Sequence, residues 1–85
     1  MAEYQVFVDS EIFELILTVR GSKKTEIREF LRSLKSNPFE RGEFSTLRMG
    51  RKVEIKYFGK YSIYFWADHA VKEVKIVDFV SSIES

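Results

Sequence analysis

An α+β domain, in the order β-α-α-β-β-β-β with two helices packed on a twisted, mainly antiparallel sheet, is the fold class this chain predicts. Three observations carry it. Apolar residues alternate with period 2 through most of residues 51–80, two stretches between residues 10 and 34 carry them at helical spacing, and turn residues fall between the runs. The C-terminal meander organises the chain and the earlier elements are arranged to cover it. At 85 residues the whole chain, 1–85, is expected to be one domain, because a core of this size cannot be divided further.

Tyr4 to Val8 is a short β run, with Tyr4, Val6 and Val8 on one face and Gln5 and Phe7 on the other. Asp9-Ser10 follows as an N-cap pair, with Glu11 and Glu14 where the positive end of a helix favours carboxylates. In that helix Ile12, Leu15, Ile16 and Val19 fall at i, i+3, i+4 and i+7. Phe13 and Leu17 widen the stripe, so a well-buried helix is expected. Arg20-Gly21-Ser22 turns the chain, with Ser22 as the expected cap of a second helix. There Ile27, Phe30, Leu31 and Leu34 form the inward stripe and Arg28, Glu29, Arg32 and Ser33 face water.

Asn37-Pro38 stops this helix, since the residue before Pro is driven out of the α region. Phe44 to Met49 is the second strand and Gly50 the turn. From Arg51 to Phe58, Val53, Ile55 and Tyr57 form a dry face against a wet one of Lys52, Glu54 and Lys56. Gly59-Lys60 turns again. Tyr61 to Trp66 is bulky on both faces, which predicts a central strand. After Asp68-His69-Ala70, the last strand sets Val74, Ile76 and Val80 against Glu73, Lys75 and Val77. The two-helix crossover is expected to return strand one parallel to a late strand.

Composition narrows the function. Apolar residues make up 45% of the chain and aromatic residues 15%, enough for a packed core. There is no cysteine, which removes disulfides and thiolate metal sites. No apolar run is long enough to span a bilayer and Met1-Ala2-Glu3 lacks a basic leader, so a cytoplasmic protein without membrane attachment is expected. The net charge of +1 conceals an asymmetry, with twelve basic and five acidic residues between Arg20 and Lys60 and two basic against eight acidic elsewhere. Gathered on one surface, the basic segment would suit a polyanion or an acidic partner, and spread out it would be ordinary solvation. There is no Gly-rich phosphate loop, no spaced set of metal ligands and no Ser, His and acid arrangement. His69 stands in a turn as the one histidine of the chain, so neither a cofactor nor a metal is expected.

The element order, the helix-ending Leu34-Lys35-Ser36-Asn37-Pro38, the strand Gly59-Lys60-Tyr61-Ser62-Ile63-Tyr64-Phe65 and the later Val74-Lys75-Ile76-Val77 together resemble the RelE/ParE superfamily. These are bacterial toxins of type II toxin–antitoxin systems, a group that includes plasmid stabilisation proteins. The resemblance covers nearly the whole chain and rests on order and spacing. It implies a toxin acting on translation through messenger RNA and neutralised by a cognate antitoxin. RelE-like members are endoribonucleases that cleave messenger RNA in the ribosome with basic and aromatic side chains on the sheet, while ParE-like members poison gyrase and cleave nothing. The alternative is therefore a non-nucleolytic binding module of the same fold, directed at gyrase or serving to dock a partner. The resemblance leaves open a homodimer and a hetero-oligomer with the antitoxin.

Cleavage of this kind needs a 2′-hydroxyl deprotonated and cations to hold charge developing on the phosphate. By the resemblance, Lys56 falls near a basic strand position of the nucleases, Glu54 where a second base is common, and Ser62 where a Tyr-Arg pair places Arg. The tail after Val77-Asp78-Phe79 continues as Val80-Ser81 where those nucleases continue into Arg. Lys56, Lys52 and Arg48 are the candidate catalytic residues, and Arg51, Lys60, Tyr64 and Trp66 the candidate RNA contacts. Lys52 and Lys56 share a strand face. If Arg48 and Ser62 lie on it too, the patch can hold a backbone phosphate beside a stacking platform of Tyr64 or Trp66. The competing reading makes the Lys-Glu-Lys face solvation and the two aromatics core.

Overall fold

A computed structural model describes residues 3–82. In chain order the elements are β1 (Gln5–Val8), α1 (Ser10–Leu17), α2 (Ser22–Ser33), β2 (Phe44–Arg48), β3 (Arg51–Phe58), β4 (Tyr61–Asp68) and β5 (Glu73–Ser81). The sheet runs β1-β5-β4-β3-β2, with β1 parallel to β5 and every other neighbour antiparallel. The expected α+β architecture and element order hold, the two-helix crossover places β1 beside β5, and β4 is the central strand.

Local chemistry sets the joints. The Asp9 carboxylate accepts the Glu11 N–H at 2.9 Å and caps α1, whose end is marked by the Thr18 hydroxyl donating to the Leu15 carbonyl at 2.6 Å. Gly21, at φ 74, caps α2 through a backbone turn that L side chains rarely adopt. The cap is thus Gly21 and not Ser22, which is the first helical residue and makes no capping bond. Met49 and Gly50 both have positive φ, the requirement of a two-residue hairpin turn. Met49 therefore belongs to the turn, and β2 ends at Arg48.

On one side of the sheet Ile16, Val19, Ile27, Phe30 and Leu34 from the helical segments meet Phe58, Ile63, Phe65, Val74, Ile76 and Phe79. Phe30 is the hub, with its ring 5.3 Å from Phe65 and 5.4 Å from Phe58. Each such fully buried large apolar side chain contributes about 1.5–3 kcal/mol.

The expectation of a well-buried α1 is overturned. Only Ile16 of the helix is buried, while Phe13, Leu15 and Leu17 are each about half exposed. Its eight residues touch the sheet mainly at β5 and present one narrow stripe to it.

Two further corrections follow from register. A β-bulge in β5, between the Phe65↔Ile76 and Tyr64↔Asp78 pairs, leaves Val77 as the extra residue. Beyond it the alternation switches, so Phe79 points into the core and Val80, expected there with Val74 and Ile76, points out. In β3, Glu54 pairs with Phe65 and Lys56 with Ile63, which puts the Lys-Glu-Lys positions on the helix side of the sheet. Val53 and Ile55 are buried as expected, but on the face turned away from the helices, and Tyr57 on that face is exposed. The helices reach β3 chiefly at Phe58. Past that point the helix-side positions flank α2, where long polar side chains reach water, as Lys56 does with its ammonium 6.0 Å from the Phe30 ring.

Candidate nucleic-acid interface

The face turned away from the helices is built by cross-strand pairing. Arg48 pairs with Arg51, Thr46 with Val53, Phe44 with Ile55, Ile55 with Tyr64 and Trp66 with Lys75, so these side chains share one surface. Val53 and Ile55 form its dry floor. The Arg51 guanidinium lies 3.6 Å from the Trp66 ring centre on the β3 side, and the Lys75 ammonium 5.2 Å from it on the β5 side. Arg48 lies 4.5 Å from the Tyr64 ring centre. Such contacts are worth about 0.5–1 kcal/mol each when exposed, and they hold flexible cations in place. Arg48, Met49, Arg51, Val53, Trp66 and Val77 enclose a shallow hollow on this face.

Carboxylates partly neutralise the cluster. Arg48 Nη1 lies 3.1 Å from Asp78 Oδ2, whose other oxygen accepts the Phe79 N–H at 2.8 Å. Lys75 lies 3.7 Å from Glu73. Among the described residues Arg51 is in no ion pair, so it is the cation most available to an incoming anion. A planar guanidinium with free N–H edges, as at Arg51, suits bidentate contact with a phosphate.

Four candidate residues therefore meet here: Arg48, Arg51, Tyr64 and Trp66. Lys52 and Lys56 do share a face, but it is the opposite one, where Lys52 lies 3.9 Å from Glu54 and Lys56 lies 3.4 Å from Glu43. The condition that Arg48 and Ser62 join them fails, because Arg48 and Ser62 are on the open face. Ser62 is buried, its hydroxyl 3.5 Å from the Val80 carbonyl, and it contributes no charge. Lys60 stands in the β3–β4 turn at the far end of the strands, 5.5 Å from the Tyr61 ring.

Lys75 and Asp78 are part of the cluster and were missed in the sequence. Lys75 was visible as a polar position in the last strand, but its place beside Trp66 depends on register. Asp78 reaches the open face only because of the bulge at Val77. Among the described residues no group of three or more His, Cys, Asp or Glu side chains is placed to hold a metal ion, and no helix is long and apolar enough to cross a membrane.

A mixed five-stranded sheet covered by two helices on one side is an arrangement that solved structures also contain. The chain is similar to archaeal RelE from Pyrococcus horikoshii in its RelE–RelB complex, with TM-score 0.76 and 16% identity over 92% of this chain and 93% of that one. It is also similar to a chain of the Mycobacterium tuberculosis toxin–antitoxin complex RelBE2, with TM-score 0.71 and 16% identity over 94% and 99%. A double mutant of Escherichia coli toxin RelE in the free state gives TM-score 0.68 and 14% identity over 95% and 84%. No family model matches the sequence, and no curated protein matches it significantly. The fold is that of the RelE toxins.

Proposed function

We propose that this protein is the toxin component of a type II toxin–antitoxin system, acting on messenger RNA in the cytoplasm through the open sheet face and neutralised by a cognate antitoxin. The observation that carries this reading is the pair of arginines stacked over Tyr64 and Trp66 on the open face of a RelE-like sheet. Arg51 and Arg48 bind backbone phosphates, and the rings beneath keep the guanidinium groups in register with successive nucleotides. Antitoxin docking is supported by the apolar side chains left at the surface: Phe13, Leu15 and Leu17 on α1, and Phe44 and Leu47 on the edge strand β2. A folding segment of a partner would cover such surface.

A second reading, a binding module that does not cleave, is favoured by one specific feature. Ser62 and Val80 are neutral where the resemblance leads one to expect Arg, which leaves Arg48, Arg51 and Lys75 to hold charge and Asp78 as the carboxylate beside Arg48. Inducible expression with and without the neighbouring small gene, followed by mapping of messenger RNA 5′ ends, tests both readings. Growth arrest relieved by the neighbour, with new 5′ ends, is expected for the toxin that cleaves. Relieved arrest without new ends supports the binding module, and harmless expression contradicts a toxin altogether.

A further inference from the structure

We infer that the groove at the end of the sheet, where the loop after α2 passes the ends of β3 and β4, is a nucleotide subsite that receives the part of an RNA strand leaving the open face. The inference rests on the RNA reading above for the identity of the strand. The groove encloses about 360 Å³, and Phe39, Arg41, Arg51, Lys52, Glu54 and His69 are among its lining residues.

Its charge favours an anion. Glu54 is engaged twice, accepting the Gly42 N–H at 3.0 Å and lying 3.9 Å from Lys52, and Glu40 accepts from the Asn37 side-chain amide at 2.9 Å. Arg41 and Arg51, by contrast, take part in no ion pair among the described residues. With Arg41, Arg51 and Lys52 set against Glu40 and Glu54, the lining keeps an excess of one positive charge, and its two guanidinium groups are the donors best shaped for phosphate oxygens.

The histidine ring is anchored by Tyr4 and can present a donor to the groove. The Tyr4 hydroxyl lies 2.8 Å from His69 Nδ1, and when it donates there the neutral ring carries its proton on Nε2, as a further hydrogen bond for an anion. Phe39 stacks on the same imidazole with centroids 4.7 Å apart and planes 14° from parallel. Phe39 is itself 71% exposed, which leaves ring surface for a base to extend the stack. Two guanidinium groups, an oriented N–H and an open aromatic ring answer to the phosphate and base of one nucleotide. Arg51 and Trp66 line both this groove and the open face, so a strand held by one passes directly to the other.

The chain contains one histidine, so its imidazole resonances are unambiguous in NMR spectra. The test combines two titrations of the full chain: adenosine monophosphate followed at the His69 ring, and a fluorescein-labelled ten-nucleotide single-stranded RNA followed by anisotropy. Expected are saturable His69 shifts with the mononucleotide, and decamer binding weakened about fivefold or more by Phe39→Ala, the loss of one base stack. Arg41→Ala should weaken decamer binding and lower its salt slope by about 1. His69→Gln should weaken the decamer, while Arg48→Ala should weaken the decamer and leave the mononucleotide shifts of His69 in place. Decamer binding that Arg48→Ala reduces and the groove variants leave untouched would overturn the subsite and leave the RNA reading standing. An unmoved His69 signal also overturns the subsite. A decamer that binds neither the wild type nor any variant overturns both.

Discussion

The two faces of β4 show how one strand can serve two ends. Ile63 and Phe65 point to the helices and are buried by other apolar side chains, with Phe65 packed against Phe30. Tyr64 and Trp66, the intervening residues, are half-buried on the other side, where their covering is made of Arg48, Arg51 and Lys75. Even the 2% exposed Val53 lies on that side without a helix above it. Long cationic side chains can thus cover an apolar floor while keeping their charged ends at the surface. Hydrocarbon covered by helices fixes the fold, and hydrocarbon covered by guanidinium groups remains accessible to an anion that engages the cover.

Neighbouring residues should therefore fail in different ways. Phe65→Ala is expected to cost about 3–5 kcal/mol, seen as a lowered midpoint in chemical denaturation, because it opens a cavity under Phe30. Trp66→Ala should cost clearly less stability and yet lower affinity for single-stranded RNA about tenfold, since the platform and the seat of Arg51 are lost together. Equal stability losses for the two variants would break the distinction between the faces. Smaller still, Arg51→Ala should weaken RNA binding severalfold across sequences and reduce the salt slope by about 1, read from affinities at several ionic strengths. The smallest effect has the opposite sign. Asp78→Asn frees Arg48 from an exposed ion pair of the kind worth about 0.2–1 kcal/mol, so RNA affinity should rise by up to about fivefold, and only while Arg48 is present.

Much of the fold was legible because local signals agreed with the global arrangement. Asp9 announced the start of α1, the stripe Ile27, Phe30, Leu31 and Leu34 announced α2, and the two-sided bulk of Tyr61 to Trp66 announced the central strand. Periodicity reports that a face is dry without saying what dries it. Val53 and Ile55 were read as covered and are, but by the open-face side chains and not by a helix. The bulge at Val77 is silent in sequence, since a single inserted residue leaves the β-prone run Val74 to Val80 intact while reversing which side chains point inward. Among the candidate site residues, Arg48, Arg51, Tyr64 and Trp66 come together, whereas Lys52 and Lys56 depended on a register that four separate pairings decide. The cluster of Tyr4, Phe39 and His69 joins residues from three distant parts of the chain, and no local pattern marks it.

In the proposed function RNA meets the open face and not the helical one. Titration with single-stranded RNA, followed through the Trp66 indole N–H, the Arg48 and Arg51 Nε–H groups and the Val53 and Ile55 methyls, measures that directly. These signals should move together and saturably while the methyls of Ile27, Leu34 and Ile63 stay in place. Shifts confined to the helix side, or an undisturbed Trp66 at saturating RNA, would contradict it.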